Sequence, residues 1–95
     1  MAEVRLSRYA VEDLDALIAS HGLPADTRTR VARTLRALEQ FPLIGRELEG
    51  AWKGMRFLIG PWPWMLIVYV NDPGADLVTV VSIHDGRTST AAPGG

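Results

Sequence analysis

The alternation of polar and apolar residues at the start of the chain predicts a short strand, Val4–Leu6. Apolar residues then recur at the three- and four-residue spacing of one helical face, at Ala10, Leu14, Leu17 and Ile18. Ser7 is a suitable N-cap, and Gly22 and Pro24 are typical of the residues that follow a helix. We therefore expect a first helix over about Arg8–His21.

A second helix is predicted from the same spacing at Val31, Leu35 and Leu38. Asp26 or Thr27 can cap its start, and Phe41-Pro42 ends it. The link between the two helices is short, which favours an αα-hairpin. The other sides of this helix carry arginines, which we expect to form a solvated surface. They are Arg28, Arg30, Arg33 and Arg36.

After a glycine-containing loop at residues 43–54, the pattern changes to that of strands. Three strands are predicted, at Met55–Ile59, Trp64–Val70 and Leu77–Ile83. Two prolines in Gly60–Pro63 and the Asn-Asp-Pro-Gly of Asn71–Gly74 indicate turns between them. Three consecutive strands joined by short turns predict an antiparallel meander.

The predicted order β-α-α-β-β-β defines an α+β fold, in which the helical hairpin packs on one face of a small antiparallel sheet. We expect residues 1–90 to form a single domain with the first strand paired to the sheet, and residues 91–95 to form a flexible tail. Trp64–Val70 is apolar on both faces, so its far face needs a cover. A partner, the tail or a homodimer contact are the alternatives.

Composition limits the function classes. The chain has 95 residues, 47% of them hydrophobic, and no cysteine, so disulfides, thiol catalysis and thiolate metal sites are excluded. No signal peptide is visible, and the longest apolar run, Trp64–Val70, is far shorter than the roughly 18 residues of a membrane helix. We expect a soluble cytoplasmic protein. The net charge of −1 provides no global field for nucleic acid, although a local basic patch is still compatible with it.

Cofactor and metal chemistry have little support in the sequence. Two histidines without cysteine make a metal site improbable. No G-x-S-x-G, P-loop or G-x-G-x-x-G motif occurs, and the loop glycines do not form a phosphate cradle. We expect no metal and no cofactor.

Short motifs occur in a characteristic order almost from end to end of the chain. They are VRLS at 4–7, A-x-x-D-L-x-x-x-I at 10–18, L-x-x-FP at 38–42, GREL at 45–48, GMRFL at 54–58, IVY at 67–69 and IHDGR at 83–87. With these motifs on the predicted β-α-α-β-β-β layout, the chain resembles the RelE/ParE superfamily of toxins from type II toxin–antitoxin systems.

The resemblance implies a cytoplasmic toxin that arrests growth and a cognate antitoxin that wraps it and covers the apolar sheet face. A homodimer is then conceivable when the antitoxin is absent. RelE-like members cut mRNA on the ribosome, whereas ParE-like members inhibit DNA gyrase without chemistry of their own. A degenerate toxin that only binds its antitoxin is a third alternative, because a fold does not decide a function.

Ribosome-dependent RNA cleavage requires a base for the ribose 2′-hydroxyl, cations for the phosphate and an acid for the leaving oxygen. By resemblance, Arg56 takes the basic position of the strand after the loop, and Lys53 adds a second cation. His84 takes the acid or base position and Arg87 that of the terminal cation. Each also has a purely structural interpretation, such as an ion pair or a solvated side chain at a strand end.

Two departures weigh against cleavage. Met65 and Leu66 stand where RelE-like members carry an arginine, and no tyrosine follows Arg87. Loss of one charge-stabilising group can cost roughly 10²–10³ in rate. These departures are closer to the ParE-like pattern, and the sequence leaves both activities open.

Overall fold

The computed structural model describes residues 1–87, so the predicted tail at 91–95 lies outside the described residues. The elements are β1 (Glu3–Leu6), α1 (Arg8–His21), α2 (Thr27–Leu35), α3 (Ala37–Gln40), β2 (Arg46–Glu47), a 3₁₀ turn (Gly50–Trp52), β3 (Arg56–Ile59), β4 (Met65–Asp72) and β5 (Leu77–Asp85). None of the described helices has the length and apolarity needed to cross a membrane.

The strands form one sheet in the order β1-β5-β4-β3-β2. β3, β4 and β5 form the predicted antiparallel meander, and β1 returns to pair with β5 in parallel, with Val4 opposite Val78. The sheet is therefore mixed, and the α+β class with helices on a small sheet is confirmed.

Helix α1 has the predicted bounds because both of its ends are capped as expected. The Ser7 hydroxyl accepts a hydrogen bond from the Ala10 N–H at 3.1 Å and also donates one to the carbonyl of Val81 on β5. Gly22 ends the helix in the left-handed region at φ 59°, which glycine adopts without steric cost.

The prediction of one continuous second helix is wrong. Arg36 separates α2 from α3, and its N–H is shared between the carbonyls of Ala32 and Arg33, which tightens the turn locally. Asp26 is the N-cap residue of α2, as predicted, but its carboxylate makes no capping hydrogen bond and instead accepts one from Arg30 Nε at 2.9 Å. The Thr27 hydroxyl donates to the carbonyl of Pro24 instead.

The predicted loop at residues 43–54 contains a short strand and a helical turn. β2 pairs with β3 through Arg46 opposite Phe57 and Glu47 opposite Arg56. Two residues are too few to show an alternation of polar and apolar positions, so β2 could not be predicted from the sequence pattern and is defined only by its pairing with β3.

The sheet has one face toward the helices and one away from them. Strand residues that point to the helices share the main core with α1 and α2, and include Met65, Ile67, Tyr69, Val78, Val80 and Ile83. Val68 points to the opposite face, here named the helix-free face, and is also fully buried. Part of the far face of β4 is therefore covered within the chain itself.

Candidate functional site

His84 lies on the helix-free face near the end of β5. Its neighbour Ile83 belongs to the helix-side core, so alternation places His84 and its cross-strand partner Leu66 on the other face. The ring of Trp52, from the 3₁₀ turn, meets the imidazole edge-on with the centroids 6.0 Å apart. His84 Nε2 and Ser82 Oγ are buried and have no hydrogen-bond partner within residues 1–87.

Arg56 lies on the opposite side of the sheet from His84. It pairs with Tyr69, whose ring belongs to the helix-side core. Its Nη1 donates hydrogen bonds to the carbonyl of Gly45 at 2.9 Å and to that of Leu43 at 3.3 Å. In this structure Arg56 therefore fixes the loop that leads into β2.

Tyr69 binds the same loop from the helix-side core. Its hydroxyl accepts a hydrogen bond from the Gly45 N–H at 2.8 Å, and burial raises the pKa of the Tyr69 phenol. The contact requires glycine, because a Cβ at Gly45 would lie 2.6 Å from the tyrosine hydroxyl and 2.7 Å from the Phe57 carbonyl. Gly45, the first residue of the GREL motif, is therefore required by close packing against Tyr69 and Phe57.

Arg87 is bound by Asp85. Nη2 and Nε of Arg87 donate to the two carboxylate oxygens at 2.8 and 3.0 Å, and the Arg87 N–H donates at 2.9 Å. These hydrogen bonds hold the pKa of Asp85 well below its usual range and raise the pKa of Arg87. The guanidinium also lies 5.1 Å from the centroid of the Trp64 ring.

His21 also contacts Asp85, although no pattern in the sequence indicates this contact. His21 Nε2 lies 2.9 Å from Asp85 Oδ2, and the imidazole stacks on Trp64 with the centroids 4.5 Å apart. We name His21, Trp64, Asp85 and Arg87 the clasp, because they join the end of α1 to the end of β5. His21 and Asp85 are 64 positions apart in the sequence, which explains why no local pattern indicated this contact.

Two cations border the helix-free face. Lys53 is exposed and follows Trp52 directly, and Arg46 is exposed opposite Phe57, whose side chain points to that face. Arg46 was not predicted as a functional residue, since only the pairing of β2 with β3 reveals its position. Of the two residues predicted by resemblance to replace an arginine, Met65 is fully buried on the helix side and Leu66 lies opposite His84.

The predicted site residues therefore do not converge on one face. Arg56 lies on the helix side of the sheet and His84 on the helix-free face, while Arg87 is held in the clasp by Asp85. Lys53 lies beside Trp52, the residue that contacts His84. The catalytic roles of Arg56, His84 and Arg87 and the RNA-binding role of Lys53 stay predictions.

Solved structures with the same architecture cover nearly the whole chain. A metal-bound toxin from Helicobacter pylori is 19% identical with a TM-score of 0.71, over 94% of this chain and 99% of its own. The toxin–antitoxin complex RelBE2 from Mycobacterium tuberculosis is 22% identical with a TM-score of 0.62, and the match covers 88% of this chain and 96% of its own. The chromosomal ParDE TA system from P. aeruginosa is 15% identical with a TM-score of 0.68, and the match covers 90% of this chain and 96% of its own.

No protein-family model and no curated protein matches the chain. At these identities the structural likeness establishes the fold, which is that of small toxins from toxin–antitoxin systems. The predicted resemblance is confirmed at that level: the chain has the RelE/ParE fold. The described residues hold no cluster of three or more histidine, aspartate or glutamate side chains that could bind a metal ion.

Proposed function

We propose that this protein is the toxin of a type II toxin–antitoxin pair and that it arrests growth by ribosome-dependent mRNA cleavage in the cytoplasm. The observation that carries the cleavage proposal is the environment of His84. Its Nε2 is buried and unpartnered on the helix-free face, beside an aromatic ring and near a segment that carries Lys53. The RelE/ParE fold supports the toxin role.

The chemistry needs proton transfer and charge neutralisation, but no metal. The 2′-oxygen of a ribose attacks the adjacent phosphorus, and the bond to the 5′-oxygen breaks. Histidine gains and loses a proton near neutral pH, so His84 would take the 2′-proton or supply one to the leaving oxygen. Lys53 would neutralise phosphate charge.

Arg56 and Arg87 fit the cation roles less directly. Each guanidinium already has acceptors, the loop carbonyls for Arg56 and the Asp85 carboxylate for Arg87. Participation in cleavage would require exchange of these acceptors for phosphate oxygens, and Arg56 would also have to reach the helix-free face on which His84 lies. In the proposal, Arg56 and Arg87 are catalytic cations only after such an exchange, and otherwise serve as structural residues.

The partner in this proposal is a cognate antitoxin, as in the RelBE2 complex. An exposed apolar segment is available for it: Phe41 is 58% exposed, Leu43 58% and Ile44 55%. Exposed apolar clusters mark contact surfaces for proteins. Without antitoxin, the same segment would favour a homodimer.

Gyrase inhibition is the second candidate. It is favoured by the engagement of Arg56 and Arg87 in structural hydrogen bonds, and by apolar Met65 and Leu66 where the resemblance implies an arginine in RelE-like members. The ParDE system shares the fold. A degenerate toxin that only binds its antitoxin would show neither activity.

A pulse of expression in a host without the antitoxin, followed by primer extension on a translated transcript, tests the proposal. We expect new cuts within codons that disappear in His84→Ala and persist in His21→Ala, the matched histidine control. Growth arrest with intact transcripts would instead support gyrase inhibition, to be followed by a supercoiling assay. Absence of arrest at verified expression would contradict the toxin role.

A further inference from the structure

A chain of hydrogen bonds runs from the clasp to a serine hydroxyl on α1. Ser20 Oγ lies 2.9 Å from His21 Nδ1, and His21 Nε2 lies 2.9 Å from Asp85 Oδ2. The imidazole therefore has a hydroxyl at one nitrogen and a carboxylate at the other. A serine beside a base that a third group orients is the recurring arrangement of nucleophilic acyl transfer.

The Asp85 carboxylate fixes which nitrogen of His21 carries the proton. An ionised carboxylate only accepts hydrogen bonds, so neutral His21 carries its proton on Nε2 and donates it to Asp85. Nδ1 is then an acceptor for the Ser20 hydroxyl. The carbonyl of Leu17 lies near the same hydroxyl, but at 3.5 Å it is a weaker acceptor than the imidazole at 2.9 Å. The hydroxyl proton therefore points to the nitrogen that can take it.

The other contacts of the clasp hold this chain of groups in one geometry. Arg87 donates to both carboxylate oxygens of Asp85, which keeps the pKa of that carboxyl well below its usual range and the group ionised. Trp64 stacks on the His21 ring with an angle of 16° between the planes. A base that is held in place by such contacts needs little reorganisation before it accepts a proton.

A surface cavity gives a substrate access to the hydroxyl. The cavity has a volume of about 420 Å³ and lies between α1 and the end of β5, and Ser20, His21 and Asp85 all line it. Leu17 contributes an apolar wall, and Asp13 adds a second carboxylate to the lining. A space of this size and lining suits a small ester without negative charge.

We infer that Ser20 is a nucleophile for acyl transfer from small uncharged esters, with His21 as its base and Asp85 as the residue that positions the imidazole. Ser20 Oγ forms a bond to the ester carbonyl carbon while its proton passes to His21 Nδ1. The bond from that carbon to the second ester oxygen then breaks, and this oxygen leaves with the bonding electrons and takes the proton from the imidazole. Ser20 is left as an ester. The inference does not rest on mRNA cleavage.

The test is incubation of the purified full chain with millimolar 4-nitrophenyl acetate near neutral pH. Release of 4-nitrophenol is followed by absorbance, and the acetyl group is located by mass spectrometry. Trypsin cleaves after Arg8 and Arg28 and releases a peptide of residues 9–28, in which Ser20 is the sole serine and lysine does not occur. We expect one acetyl group on Ser20 in this peptide, and none in Ser20→Ala.

Two variants separate the base from the residue that positions it. His21→Ala should slow acetylation of Ser20 at least about a hundredfold, the usual minimum contribution of a general base, and added imidazole should restore part of the rate. Asp85→Asn should slow it at least about tenfold, because an amide can donate to Nε2 and leave the proton on Nδ1. Nitrogen NMR of His21 should show this change of tautomer, which a merely structural role of Asp85 would not produce.

Asp26→Asn is the matched carboxylate control. Asp26 is exposed at the start of α2 and binds Arg30, so this variant should react at the wild-type rate. Circular dichroism and thermal unfolding confirm that each variant is folded.

An unmodified Ser20 in a chain whose Met1 amino group has been acetylated would overturn the inference, since the reagent was then active. An equal rate in folded His21→Ala, or a wild-type His21 with its proton on Nδ1, would overturn it as well. The reaction needs neither ribosome nor host. Acetylation of Ser20 in a protein that causes no growth arrest would therefore support the inference and reject the toxin role, and arrest without acetylation would do the reverse.

Discussion

Arg56 shows how a residue with the expected chemistry acquires a different task in the folded chain. A guanidinium is a strong multi-donor group, and here two of its hydrogen bonds go to carbonyl oxygens of the loop before β2. Tyr69 binds the N–H of the same Gly45. Arg56 matches the residue type that the resemblance implies for catalysis, but in this structure it binds the backbone of the loop before β2.

Arg56→Ala should lower the free energy of unfolding by about 1–2 kcal/mol, because the Gly45 carbonyl loses its charged donor. Arg46→Ala is the matched control, since Arg46 is exposed on the adjacent strand, and should change stability by less than about 0.5 kcal/mol. Urea unfolding measures both. If Arg56→Ala retains full stability yet loses mRNA cleavage, a catalytic role for Arg56 would replace the structural one.

At the scale of elements, the clasp joins two segments that are distant in sequence. The Asp85 carboxylate on β5 binds Arg87 and also His21, the last residue of α1. Trp64 contacts both of these side chains, with its ring centroid 4.5 Å from that of His21 and 5.1 Å from the Arg87 guanidinium. This arrangement makes the attachment of α1 to the sheet sensitive to the charge of one carboxyl group.

The stability contributed by Asp85 should disappear in acid. Its pKa is lower in the folded state than the unfolded value of about 3.9, so the contribution is complete above that value and is lost as pH falls toward the folded pKa. Asp85→Asn should therefore be less stable than the wild type at pH 6, with the difference shrinking below about pH 4.

Urea unfolding at several pH values between 6 and 2.5 measures this difference. Glu12→Gln is the control, because Glu12 is an exposed carboxyl group of α1 and should show little difference at any pH. A wild-type advantage over Asp85→Asn that stays constant down to pH 2.5 would show that the carboxylate charge does not stabilise the clasp.

For the whole molecule, the question is which surface a partner covers. Val68 is fully buried on the helix-free face, so the apolarity of β4 alone does not demand an external cover. The large apolar side chains left exposed are instead concentrated at Phe41, Leu43 and Ile44, in the connection between α3 and β2. Arg56 binds the carbonyls of Leu43 and Gly45, and Tyr69 binds the N–H of Gly45, so the backbone is held both within this segment and directly after it.

The double substitution Leu43→Ser with Ile44→Ser should leave the free energy of unfolding within about 0.5 kcal/mol of the wild type, since both side chains are exposed. It should weaken copurification with the product of the neighbouring reading frame, the expected antitoxin, by at least about tenfold. Tyr9→Ser, at another exposed apolar residue, is the control. Undiminished copurification of the double variant would place the antitoxin contact elsewhere.

Much of the fold follows from local sequence. Ser7 and Gly22 delimit α1, and the turn residues at 60–64 and 73–76 separate the three strands of the meander. These features depend on capping, on turn geometry and on the period of apolar residues, all of which act over a few neighbouring positions. The break at Arg36 and the two-residue β2 were missed because neither leaves a periodic signal.

The order of residues is sufficient to predict the α+β class, the antiparallel meander and the residue types available for chemistry. It does not predict that Arg56 and His84 lie on opposite faces, that His21 binds Asp85, or that Trp52 lies against His84, all of which depend on the folded arrangement. The physical reason is that strand register and the return of loops onto the sheet set which distant side chains meet. A shift of one residue in register would exchange the two faces, and no local pattern encodes that choice alone.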